Sequence, residues 1–257
     1  MDELNGRRAV FAYNMFKFKP LKYCKIMNMN ISGLYLNGLV ACAERVCFKN
    51  VVFQNINKDV TKSECRYLTM KSCANLQHLD HTKFFHCEQA NLVRCEILRD
   101  NLKIFKDKLK ILTIRRTFSV DGIVAKYLAF DSPFSKLVVL DLSYNQIEFN
   151  GLVFLLHKGA VFANTLKKMS LERNLVINSF FSIISRLQLP VIEYLDLNLN
   201  QIEWDEDEVK SKGYRIVRKL REKKQVNDRY VKVRAVEIAL DSDLIIKVMS
   251  PEDLYKD

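Results

Sequence analysis

Glycine and proline are scarce, at 7 and 4 of 257 residues. That excludes a collagenous chain and long flexible or polyproline linkers. No run of ~18 apolar residues occurs, so no membrane-spanning helix is expected. The opening stretch MDELNGRRAVFAYNMF places acids first and has no apolar run ending in small residues, so no secretory leader is expected either. The glycine-rich phosphate loops GxxxxGKS/T and GxGxxG are missing, as are GxSxG and HExxH. Nothing pairs a nucleophile with a base. The chain therefore reads as a non-enzyme without a cofactor. Histidine is also rare, at four residues. His78, His81 and His86 lie near Cys73 and Cys87, but the spacing HxxHxxxxHC fits no zinc template, and no metal is expected. The acidic run from Asp205 to Glu208 suits the start of a helix, where acids meet the positive end of the dipole.

What is abundant is apolar residues, at 49%, and positive charge, with 41 Lys and Arg against 30 Asp and Glu for a net +11. The apolar share is enough for a continuous core. The seven cysteines all fall between residues 24 and 95. An odd number, with five of them at inward or turn positions of the repeat described next, suits buried free thiols. Cys65 and Cys87 stand in equivalent positions of neighbouring units, where a bridge is geometrically conceivable, but free thiols in a reducing, intracellular setting account for all seven.

A nine-residue pattern recurs along the chain. LVVLDLSYN at 137–145, LKKMSLERN at 166–174 and IEYLDLNLN at 192–200 share LxxLxLxxN, each followed two residues on by Ile147, Val176 or Ile202. Looser copies begin at Leu21, Ala43, Cys65, Cys87 and Leu109, so the first five are spaced by 22 residues and the later intervals are 28, 29 and 26. Apolar residues alternate within each copy, as a strand with one buried face requires. The final Asn can close the following turn by bonding to backbone groups that otherwise lack partners. The short units leave room for a brief return only. The long ones hold amphipathic segments at 149–165 and 179–188, which are expected to be helices.

These copies resemble the leucine-rich-repeat family over residues 21–204, in a mixture of 22-residue and 28/29-residue repeats. The first five depart from its pattern, with Met29, Val51, Cys73, Cys95 and Thr117 where the family has Asn. The resemblance implies an α/β solenoid: a curved parallel sheet of about eight strands, with helices or irregular returns on the convex side. Around it the chain divides into an N-terminal cap at 1–20, the solenoid at 21–204, and a C-terminal cap helix with a small β-like tail at 205–257. In the cap, Val209, Ile216, Val217 and Leu220 suggest a packed helix side. Arg215, Lys219 and Lys223, four apart, would line the opposite side. Two β-like runs, 230–239 and 244–249, flank a DSD turn signal.

Positions flanking the inward apolar residues should lie on the sheet's open face. In the first five units, counting the next residue of the turn, they include Lys25, Arg45, Lys49, Lys71, Arg94, Arg115 and Arg116, with Tyr23 and Tyr67 among them and no acid. In the last three they are mixed: Asp141, Lys168, Glu172, Arg173 and Asp196. A second basic block holds Arg215, Arg218, Lys219, Lys223 and Lys224. One-signed surfaces of this kind suit a phosphate-rich or acidic partner. The expectation is a monomeric recognition or scaffold protein, cytoplasmic or alternatively nuclear. It would dock on an RNA-containing assembly such as a ribosome or other ribonucleoprotein, or on an acidic protein surface, with no membrane and no small-molecule substrate. Two alternatives are a regulator similar to the GTPase-activating protein of Ran, with Arg116 or Arg173 as its arginine, and a purely protein–protein adaptor.

Overall fold

The computed structural model describes residues 21–32, 43–54, 65–79, 84, 86–117, 119–226, 229–240 and 244–249; of Ser32, 218–226 and 229–236 it describes the backbone alone. The expected cap at 1–20, along with Cys42, His81 and residues 250–257, lies outside the described residues. The chain is α/β, with mostly parallel sheet in each of two compact units. The first comprises 1–119 with 131–137, and the second 120–130 with 138–257.

In the first unit, five motif copies supply five strands: β1 (Leu21–Ser32), β2 (Ala43–Gln54), β3 (Tyr67–Lys71), β4 (Gln89–Val93) and β5 (Ile111–Arg115). They pair in parallel, in the order of the chain. The register equals the repeat, with Tyr23 opposite Arg45, Arg45 opposite Tyr67, Tyr67 opposite Gln89 and Gln89 opposite Ile111. The alternation HPHPH sends Val46, Phe48, Leu68, Met70, Ala90, Leu92, Leu112 and Ile114 to the buried face. The returns are short, as 22 residues require. Two are turns of 3-10 helix, Leu76–Leu79 and Arg99–Ile104. Phe84 and Phe105, both buried, meet with their ring centroids 5.9 Å apart.

The second unit uses longer repeats. Its strands β6 (Val139–Asp141), β7 (Lys168–Ser170) and β9 (Tyr194–Asp196) again pair in parallel with the motif register, Leu140 opposite Met169 and Met169 opposite Leu195. The returns hold α1 (Gly122–Lys126), α2 (Phe149–Leu156) and α3 (Phe180–Ile184), while β8 (Ile177–Ser179) pairs with β10 (Gln201–Glu203). Both expected helices, at 149–165 and 179–188, are thus present but shorter. The α1 start is capped by Asp121, whose carboxylate accepts from the N–H groups of Ile123 and Val124.

The C-terminal segment corrects one expectation. Helix α4 spans only Glu206–Ser211, N-capped by Asp205, and Arg215–Val226 is a strand, β11. Gly213 ends the helix at φ 81°, with its N–H on the Lys210 carbonyl and the Tyr214 N–H on that of Val209. That is the Schellman arrangement, which closes the last turn and turns the chain away. Strand β11 then pairs antiparallel with β12 (Arg229–Ala239), and β12 with β13 (Ile245–Met249). The two β-like runs are the last two of these strands. They are not an isolated hairpin, because β13 also pairs in parallel with β9, Ile246 opposite Leu195.

The same turn follows every motif copy. The eighth residue of each lies in the left-handed region: Asn28, Asn50, Ser72, Arg94 and Arg116 in the first unit, Tyr144, Arg173 and Leu199 in the second. This conformation costs a non-glycine residue about 1–2 kcal/mol. A repeated bond offsets it, as Ser72 N–H donates to the Val93 carbonyl, Arg94 to Arg115, Tyr144 to Glu172 and Arg173 to Asn198. The ninth residue completes the turn. Asn174 Nδ2 donates to the carbonyls of Leu142 and Leu171, at 2.9 and 3.0 Å, and its Oδ1 accepts from Ile147 N–H. Asn200 repeats this with Leu171, Leu197 and Val176. In the first unit a thiol or hydroxyl substitutes. Cys73, Cys95 and Thr117 each donate to the carbonyl two residues back.

All six described cysteines are free thiols. Burial pushes Cys65 up to about 12 and raises Cys87 further. A hydrogen bond between their thiols favours ionisation of Cys73, down to about 7, and opposes that of Cys95, with burial resisting charge on both. Thiol titration of the denatured chain without reductant is expected to find all seven cysteines reduced. Five would restore a bridge such as Cys65–Cys87.

Candidate nucleic-acid interface

The open face of the first unit is built by the strand register alone. Four rows cross the strands. The outermost contains Tyr23, Arg45, Tyr67, Gln89 and Ile111; the next Lys25, Cys47, Thr69, Asn91 and Thr113; the third Met27, Lys49, Lys71, Val93 and Arg115. The turn residues Asn28, Asn50, Ser72, Arg94 and Arg116 form the fourth. All seven sequence-predicted cations of this unit are exposed on this face. The register sets Lys49 directly opposite Lys71 and places Arg94 beside Arg116 in the turns. Lys25 faces Cys47 and has no cation beside it in its row. The Arg45 guanidinium lies 4.2 Å over the Tyr67 ring, a cation–π contact that orients both. Asn50 donates to Asn28 along the turn row at 2.8 Å.

Like charges facing each other need a reason to be tolerated. Here Lys49 and Lys71 are both exposed, so water and salt screen their repulsion, and the acids sit on a different row. The second motif position reads Lys22, Glu44, Arg66, Glu88, Lys110, alternating in sign at the 22-residue period. Glu88 bridges Arg66 and, at 3.0 Å, Lys110, and these hydrogen bonds hold its carboxyl below the usual range, Arg66 contributing most. Lys167 and Glu193 repeat the pairing in the second unit at 2.6 Å. Sequence reasoning that followed the apolar positions missed this ladder, though the alternation is visible in the residues. It ties Glu88 to this row and leaves no acid among the four rows of the open face.

The other expectations fare differently. The mixed surface of the second unit is buried in part: Lys168 is exposed, and Asp141 and Arg173 are half-buried. Glu172, Asp196 and Asn198 are covered, and so is Lys247, which β13 sets opposite Asp196. Ser143 bonds to Asp141 at 2.6 Å and to Ser170 at 2.8 Å. Strand pairing with the C-terminal segment thus covers the end of this face at Asp196, which was expected to meet solvent. The proposed helical row of Arg215, Lys219 and Lys223 does not exist. These residues, with Arg218 and Lys224, belong to β11, where Arg215 is exposed and Lys223 stands opposite Lys232. Among the described residues, no group of three or more His, Cys, Asp and Glu is placed to hold a metal ion, and no helix is long and apolar enough to cross a membrane. No protein-family model matches the chain, and no curated protein matches it in sequence.

Proposed function

We propose that the chain is a leucine-rich-repeat protein without catalytic activity, which recognises an RNA-containing assembly through the basic face of its first unit. The repeat reading is supported by eight motif copies that each carry a parallel strand, by a register equal to the repeat length, and by the left-handed turn, closed by Asn, Cys or Thr in six of them. The RNA reading rests on one observation: seven exposed Lys and Arg share a sheet face free of acids. Polyanions bind such surfaces by displacing counterions. The alternative of a protein contact through Asp141, Glu172 and Asp196 loses support, since two of the three are buried. Strand β11 carries the second candidate set, Arg215, Arg218, Lys219, Lys223 and Lys224, on an extended segment.

The test is equilibrium binding of the full chain to RNA across a salt series. The paired change Lys49→Glu and Lys71→Glu should weaken binding and reduce the slope of log K against log salt by ~0.7–0.9 for each phosphate no longer neutralised. The melting temperature should hardly move, since both side chains are exposed. Binding that ignores salt, or that is unchanged by this pair and by the companion Arg215→Glu, Lys219→Glu, Lys223→Glu, overturns the reading.

A further inference from the structure

We infer, resting on the RNA reading above, that this face takes RNA as a single strand, with unpaired bases stacked on the Tyr23–Arg45–Tyr67 row and phosphates along the Lys49–Lys71 row. Two chemistries are arranged side by side here. One edge is flat and π-bearing. Tyr23 is 56% exposed on β1, its hydroxyl hydrogen-bonded to Cys47, and Arg45 lies over Tyr67, so the row offers an exposed ring and then a guanidinium plane backed by a second ring. Both tyrosine rings and arginine planes are surfaces on which splayed bases stack. The other edge is cationic, with Lys49 and Lys71 adjacent and Arg115 two strands further on.

The separation of the two rows fits this division. Four residues along a strand, from Arg45 to Lys49 or from Tyr67 to Lys71, span ~13 Å of sheet. The row between them carries the short side chains Cys47, Thr69, Asn91 and Thr113, which leave a low floor from β2 to β5, with Lys25 at its β1 end. Lysines flank that floor on one side and rings on the other. The polynucleotide would run across the strands, its sugar–phosphate chain following the lysines and its bases turned towards the tyrosines. An A-form duplex keeps its base faces stacked internally and displays only groove edges and phosphates. It would meet the lysines and leave the aromatic row unused. Charge alone would hold any polyanion equally. The tyrosines select for unpaired bases.

The experiment measures fluorescence anisotropy of the full chain with an unstructured RNA oligonucleotide, the same oligonucleotide annealed to its complement, and heparin as a base-free polyanion. The single strand should bind about tenfold or more tightly than the duplex at matched salt. Tyr23→Leu and Tyr67→Leu should each weaken the single strand by about fivefold or more, leave the duplex unchanged, and keep the salt slope. Tyr23 is the cleaner site because its ring is more than half exposed, so its loss should not disturb the sheet, and unchanged melting of that variant confirms it. Equal affinity for single strand, duplex and heparin, or tyrosine variants that bind single strands normally, would overturn the single-strand inference while RNA binding itself stands. Failure of every RNA form to bind at low salt would overturn the RNA reading, and this inference with it.

Discussion

Truncating Leu195 to Ala should destabilise the chain by ~2–5 kcal/mol, and Leu140 to Ala by a similar amount. Both side chains are fully buried, and the register stacks Leu140, Met169, Leu195 and Ile246 across four adjacent strands of the second unit. Removing Leu195 leaves a gap between Met169 and Ile246, which neighbours held by sheet hydrogen bonds cannot close. Urea unfolding monitored by circular dichroism measures the loss. Leu175→Ala is the control, since that leucine is 49% exposed and its truncation should stay within ~0.5 kcal/mol. Were Leu195→Ala as mild as the control, the assignment of inward positions in the motif would be wrong.

A second large effect is expected at Asn174. Its side chain joins two motif copies, donating to the Leu142 and Leu171 carbonyls and accepting from the Ile147 N–H, in a turn almost sealed from water. Asn174→Leu removes every one of these bonds and supplies no replacement. Each buried group left without a partner costs ~1–3 kcal/mol, so the total should reach about 3 kcal/mol. Cys95→Ala removes only weak sulfur bonds, the donation to the Val93 carbonyl and the contacts with Cys73, and should cost less, ~1 kcal/mol. The ratio between the two, read from unfolding midpoints, tests whether Asn and Cys perform the same task with different strength. Equal costs for the two would contradict that account.

Much of this was legible in the residues because the repeat imposes one local solution many times. Apolar residues recur at alternate positions, Leu68 and Met70, Ala90 and Leu92, Leu112 and Ile114, and must share a face, and the constant interval of 22 residues then sets which side chains stand beside each other. The exposed cations from Lys25 to Arg116 follow from that arithmetic. The helix start was read from the acidic run at Asp205, while the stop at Gly213 was missed. KSKG is a helix end in its own right, with the glycine supplying the left-handed residue. The row of apolar residues at Val209, Ile216 and Leu220 suggested a helix running through it, because their spacing fits one.

What needed the tertiary structure was the pairing of distant segments. RIVRKLREKKQV has no local preference strong enough to choose between helix and strand, and β12 decides the matter by offering an antiparallel partner along most of its length. Strand β13 then joins β9 from about 50 residues away and helps close in Asp196 and Lys247. Burial of that polar layer is a long-range event without a periodic trace. The repeated strands, turns and open basic face are local consequences of the sequence, since each depends on residues within one motif or one repeat away. The fate of the C-terminal segment and of the second unit's polar face depended on which backbone was free to pair, and only the assembled sheet supplies that partner.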